Sequence, residues 1–219
     1  LGVVMLPAMT NAFANQRDEE VKEMMGNSVK FVFMLGCPMM FGLAACANNL
    51  VLWFYGDGYA AVGPLMMAIC PIILAIGLST VIGKQFLLPS KRQTAFTVSV
   101  ICGAAVNFVL NLLLIPKFSA IGASAATVCA EFTVVIVQIC FVRKNINILG
   151  YLKDNIRYLI YSAIMFVAVY PISYVTDGII CTALQVVAGL AIYALCLIAT
   201  KDKNLVFILN SAKRIIKRR

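Results

Sequence analysis

GAAVNFVLNLLLIPKFSAIGASAATVCAE, residues 103–131, holds two strongly apolar runs joined by the short turn Ile115-Pro116-Lys117-Phe118-Ser119. With their flanks the runs extend over residues 94–115 and 119–142. Each reaches the ~20 mostly apolar residues that a helix needs to cross the hydrocarbon core. Asn107 and Asn111 are four apart and share one helix face. Glu131 lies about 12 residues past the turn, or about 18 Å at 1.5 Å per residue, close to mid-membrane. The stretch therefore predicts a transmembrane helical hairpin with amide and carboxyl groups at a depth where polarity is expensive.

Composition sets the class. The chain is 62% hydrophobic and 12% charged, against roughly 45–50% and 25% for soluble domains. This contrast, with a mean hydropathy of +0.94, gives an all-α, multi-pass membrane protein. A net charge of +9 would suggest nucleic acid in a soluble chain. Here the cations sit in short segments between apolar runs, so no nucleic-acid partner is expected. Cys37, Cys46, Cys70, Cys102, Cys129, Cys140, Cys181 and Cys196 all fall in apolar runs and no histidine is present. No metal site, cofactor or disulfide framework is expected.

Residues 1–9 read as the tail of a transmembrane helix that starts upstream, and the chain as a fragment. Residues 10–28 read as a polar, amphipathic cytoplasmic linker in which Asp18, Glu19 and Glu20 suit a helix N-terminus. A six-helix transmembrane bundle is expected over 29–200, with spans near 29–52, 60–82, 94–115, 119–142, 156–175 and 179–200. Trp53, Phe54 and Tyr55 form an interfacial belt. Residues 201–219 are a basic cytoplasmic tail, read either as an amphipathic helix on an anionic leaflet or as a solvated stop signal. With these spans every lysine and arginine except Lys117 falls on one side, and Asp57 and Asp177 on the other. The positive-inside rule makes the cation-rich side cytoplasmic and leaves both ends of the chain there.

Glu131, Asn107 and Asn111 have two readings. They line a polar cavity that senses protons or binds a polar headgroup, or they hydrogen-bond between helices beside the small-residue stripe Gly122, Ala126, Ala130. Lys84 and Gln85 close the second expected span. Lys84 with Lys91 and Arg92 could meet a phosphate, although a snorkelling lysine explains the position as well. Gly36, Pro38 and Gly42 interrupt the first span, and Pro71 and Gly77 the second. Proline kinks helices, so these five are hinge candidates, with kinks for packing alone as the plainer alternative.

LGVVMLPAMTNAFA, PLMMAICPIILAIGLSTVIGKQFLLPSKR and AAVNFVLNLLLIPKFSAIGASAATVCAEF resemble the carboxyl-terminal half of the polysaccharide-biosynthesis (Wzx-type) flippases of the multidrug/oligosaccharidyl-lipid/polysaccharide superfamily. The resemblance is carried by Asn107, Asn111, Ile115, Pro116, Ile121, Gly122, Ala123 and Glu131, and covers residues 1–142. It implies one lobe of a MATE-like inverted V, paired with a missing amino-terminal lobe that holds most of the diphosphate-binding residues. The implied activity is alternating-access translocation of undecaprenyl-diphosphate-linked oligosaccharide to the outer leaflet of the bacterial plasma membrane. Its partners would be the polyprenyl-diphosphate-linked glycan, membrane lipids and polysaccharide polymerases or glycosyltransferases. A drug/cation antiporter of the same superfamily, coupled through Glu131, is the alternative. A membrane glycosyltransferase would need long outer loops, which these spans do not leave, so no enzyme is expected.

Overall fold

The computed structural model describes residues 2–200; the expected basic tail at 201–219 lies outside the described residues. α1 (Gly2–Ala14) turns at residues 15–17 into α2 (Asp18–Tyr55). α2 opens on Asp18, Glu19 and Glu20 and runs unbroken into the membrane-length stretch. The polar residues 10–28 are thus shared between the two helices. α3 (Val62–Ile69) and α4 (Ile72–Ser79) continue into a π-helical segment, Thr80–Leu87. α5 (Gln93–Val142), α6 (Ile148–Val169) and α7 (Gly178–Ala199) complete the chain.

Five of these helical stretches are long and apolar enough to cross a membrane. The longest, α5, is two helices: Ser119 takes φ 50°, ψ −129° and breaks it. The arms, residues 93–118 and 120–142, fold back on one another. A Cβ on Gly122 would meet the Leu114 carbonyl oxygen at 2.5 Å, and one on Gly103 would meet the Ala130 carbonyl at 3.1 Å and run into the Val134 side chain. Gly122, Ala126 and Ala130 are buried as expected, because small residues let helix backbones approach closely. The hairpin therefore supplies two crossings and brings the bundle to six. The reversal is concentrated at Ser119, while the helix persists through Pro116.

The exterior is apolar, and the largely apolar interior also holds several polar side chains. Phe108, Leu112, Val167, Val187 and Leu190 are exposed, while Gln85, Gln138, Gln185 and Ser162 are buried. This is the distribution that lipid, rather than water, imposes on a helical bundle. α6 and α7 are tied to α2 by Tyr193 Oη donating to the Met34 carbonyl (2.7 Å), Gln185 Nε2 to the Ala45 carbonyl (3.3 Å) and Tyr151 Oη to the Lys22 carbonyl (3.1 Å). Trp53 Nε1 donates to Thr182 Oγ1 (3.0 Å) at the opposite end.

The second crossing departs most from expectation. It runs from Val62 to Leu87, five residues past the expected end, so Lys84 belongs to the span. Pro71 marks the break between α3 and α4. Below it the helix widens: the amide of Leu88 reaches the Gly83 carbonyl five residues back (3.1 Å), the π pattern. Among the remaining hinge candidates, α2 passes Pro38 without interruption. Gly36 and Gly77 sit where α2 and α4 cross. A Cβ on Gly36 would lie 3.1 Å from Leu74, and one on Gly77 2.7 Å from Val32. Gly42 faces Met165 of α6 at 3.7 Å.

Candidate functional site

The hairpin and the second crossing enclose a cleft of about 550 Å³. Lys84 enters it from the π segment, Asn107 from the first arm of α5, and Thr127 and Glu131 from the second arm. Ser79 and Thr80 add hydroxyls, and Ile76, Phe96, Val100 and Val134 form the apolar wall. Gly103, Ala104 and Ala130 keep that side low, so the cleft exists because the hairpin seam is built of small residues.

Each polar group has a definite position. Asn111 Nδ2 donates to Asn107 Oδ1 (2.9 Å), the i, i+4 pairing read from the sequence. Thr127 Oγ1 bonds back to the Ala123 carbonyl (3.0 Å). Gln138, fully buried, donates from Nε2 to Ser79 Oγ and Ser99 Oγ (3.3 Å each). It pins the second arm to both the first arm and the foot of α4. A Cβ on Gly83 would strike Gln138 Nε2 and the Phe96 ring at 2.8 Å, so glycine is what lets the π segment seat against α5. The side chains of Lys84 and Glu131 make no hydrogen bond or ion pair within the described residues, and Glu131 is half-buried. An ammonium with three donors and a carboxylate with two acceptor oxygens thus face one cleft between membrane-crossing helices, where ionisable groups are costly unless they serve a polar cavity.

The structure separates the other expected site residues from this cleft. Gln85 adjoins Lys84 in sequence yet is fully buried in a separate cavity of about 210 Å³ beside Gly36, Gly77 and Thr80. Neither polar atom of its side-chain amide has a partner. Arg92 lies beyond the span, where Nη1 donates to Asn145 Oδ1 (2.7 Å). Lys84 thus faces the cleft of the hairpin while its neighbour Gln85 faces the cavity beside α2.

Sequence reasoning missed three contributors. Ser79 and Thr80 carry no spacing or motif in the sequence that marks them out. Gln138 stood in the run VVIVQICFV as its only strongly polar residue, a signal equal to that of Glu131. A second, apolar groove of about 330 Å³ lies between α2, α6 and α7, lined by residues such as Met39, Leu43, Met165, Val186 and Leu190. No single motif foretells it. No group of three or more His, Cys, Asp or Glu side chains suited to a metal ion occurs among the described residues.

Comparison with known proteins gives concordant results. A family model described as lipid II flippase MurJ matches residues 1–195. The membrane protein YabM of Bacillus subtilis (strain 168), itself uncharacterised, is 31% identical over 134 residues, covering 60% of this chain and 24% of that protein. Lipid II flippase MurJ of the same organism is 23% identical over 214 residues, covering 89% of this chain and 39% of that protein. A solved structure of lipid II flippase MurJ in an inward closed conformation superposes with a TM-score of 0.77 at 18% identity, covering 92% of this chain and 43% of that one. That likeness establishes the fold. The chain spans about two fifths or less of the length of these relatives.

Proposed function

Since the chain belongs to the lipid II flippase MurJ family, we propose that residues 29–200 form one lobe of a transporter that moves a polyprenyl-diphosphate-linked glycan between membrane leaflets. The family agrees with the superfamily resemblance read from the hairpin motifs at the level of a lipid-linked precursor flippase. The glycan this transporter carries is an undecaprenyl-diphosphate-linked oligosaccharide for surface polysaccharide, where the similar flippases carry lipid II. The membrane is the bacterial plasma membrane, with the cation-rich end in the cytoplasm.

The observation that carries the reading is the cleft in which Lys84, Asn107 and Glu131 converge between the hairpin and the π segment. A diphosphate needs a cation and hydrogen-bond donors. Lys84 supplies the charge, with the Asn107 amide and the Ser79 and Thr80 hydroxyls beside it. Glu131 repels an anion while ionised, so it suits the release step or coupling to a cation that neutralises it. The apolar groove between α2, α6 and α7 offers a place for a hydrocarbon tail, the other half of an amphiphilic substrate. Translocation needs no covalent step. The break at Pro71 and the π segment below it support a moving element on the crossing that carries Lys84. The family match does not favour the antiporter alternative, which draws on Glu131 alone.

The test uses the full-length protein in proteoliposomes loaded with a fluorescent polyprenyl-diphosphate glycan, read by leaflet-selective quenching. Glu131→Gln and Asn107→Ala are expected to slow exchange while protein levels hold. Unchanged exchange in both variants would remove this cleft from the mechanism.

A further inference from the structure

A second polar cleft, of about 470 Å³, lies at the cation-rich end of the bundle, where three connections meet. The α1–α2 turn brings Ala14 and Gln16, the turn after the π segment brings Ser90, Lys91 and Arg92, and the α5–α6 turn brings Asn145. Its floor is apolar, made by the Phe13 and Phe86 rings packed edge to face at 5.3 Å. Its rim holds two cations, and none of its lining residues is Asp or Glu. Of the acids nearest in sequence, Glu20 pairs with Arg17 at 3.3 Å and Glu19 with Lys22 at 2.7 Å, while Asp18 is exposed at the start of α2 and does not line the cleft. Arg92 is steadied by the neutral Asn145 amide, so its charge is held in place and not cancelled. The Lys91 side chain makes no hydrogen bond or ion pair within the described residues. Leu6, one helical turn before Thr10, and Leu88, next to Pro89, are exposed, and Thr10 and Pro89 line the cleft.

We propose that this cleft binds the phosphodiester headgroup of an anionic phospholipid from the leaflet at that end. The headgroup phosphate sits between Lys91 and Arg92, its glycerol region lies over the Phe13–Phe86 floor, and its acyl chains run along Leu6 and Leu88. Basic pockets between membrane helices bind anionic headgroups in this manner, because cation and phosphate meet where water is partly excluded. Charge selects anionic over zwitterionic lipid, and the apolar floor and flanks select lipid over free phosphate. A headgroup held there ties the end of α1, the exit of the π segment and the start of α6 together. The site is separate from the Lys84 cleft and does not rest on the substrate assigned to it.

Native mass spectrometry of the full-length protein, titrated with phosphatidylglycerol, phosphatidylcholine or inorganic phosphate, tests this. Phosphatidylglycerol is expected to be retained in preference to the other two. The double variant Lys91→Gln/Arg92→Gln is expected to weaken that retention roughly 25-fold, taking each cation at its usual worth near a membrane surface. Lys117→Gln, at the opposite end, leaves it unchanged. Ala14→Trp fills the cleft without altering charge and is expected to displace the lipid, which guards against a folding defect in the double variant. Equal retention in the double variant and in Ala14→Trp, or equal binding of phosphatidylcholine, would overturn the proposal. Phosphate alone competing as well as phosphatidylglycerol would show a soluble anion to be the ligand and would overturn it too.

Discussion

Gly122→Ala puts the hairpin under direct strain. The added Cβ would stand 2.5 Å from the Leu114 carbonyl oxygen and 2.7 Å from its carbonyl carbon. Both are backbone atoms, so no rotamer change relieves the clash, and one arm must retreat by about 0.9 Å to restore ordinary contact. Overpacking of this kind costs about 1–3 kcal/mol. In a chain of this size each kcal/mol lowers the melting midpoint by ~2–4 °C, so detergent-solubilised protein should melt roughly 2–12 °C lower. Gly103→Ala meets chiefly a Val134 methyl, which can shift, with the Ala130 carbonyl at 3.1 Å, and falls between. Gly58→Ala has nothing within 4 Å and serves as the matched control. The assay is thermal melting followed by size-exclusion chromatography, with transport measured in parallel, because both arms also wall the cleft. If Gly122→Ala melted with Gly58→Ala, the close seam between the arms would be wrong, and with it the account of how the cleft forms.

Three other outcomes are expected. Lys84→Gln should weaken apparent affinity for a diphosphate-linked substrate by roughly 10- to 100-fold, the worth of a charge-assisted hydrogen bond, with the melting midpoint unchanged and Lys84→Arg largely rescuing; equal affinity would exclude Lys84 as the anchor. Gln138→Leu removes the hydrogen bonds to Ser79 and Ser99, each worth ~0.6 kcal/mol in a membrane, and should lower stability by about 1 kcal/mol, read by the same melt. A cysteine introduced beside Asp57 or Asp177 should react with a membrane-impermeant maleimide added outside cells, and one beside Lys91 only after permeabilisation; the reverse pattern would invert the assigned orientation.

The hairpin was legible in the sequence because its two apolar runs, its small-residue stripe and its polar spacing all say the same thing. Gly122, Ala126 and Ala130 lie buried at the seam, and Asn107 and Asn111 bond as their spacing requires. The convergence of Lys84 with Asn107 and Glu131 was half legible: Asn107 and Glu131 stood out as polar groups at depth, whereas Lys84 read as closing its span, and their meeting depends on the longer second crossing. TVIGKQFL carries no proline and no charge pattern that distinguishes a wide turn from an α turn. What decides it is the fit of Gly83 against Gln138 and Phe96, a tertiary contact. Adjacency likewise could not tell Gln85 from Lys84, since the elements packed around the segment decide which cavity each meets. Gly36, Pro38 and Gly42 suggested a broken first span, yet α2 runs through them. Gly36 serves a close crossing with α4 that local propensity cannot express.

The central claim, that this lobe serves a lipid-diphosphate glycan flippase, is tested most directly in cells depleted of the full-length protein, by asking on which leaflet the lipid-linked glycan accumulates. The account predicts accumulation on the cytoplasmic leaflet, relieved by re-expression of the wild type and not by a Lys84→Gln/Glu131→Gln variant present at equal level. Normal outward export during depletion would contradict it.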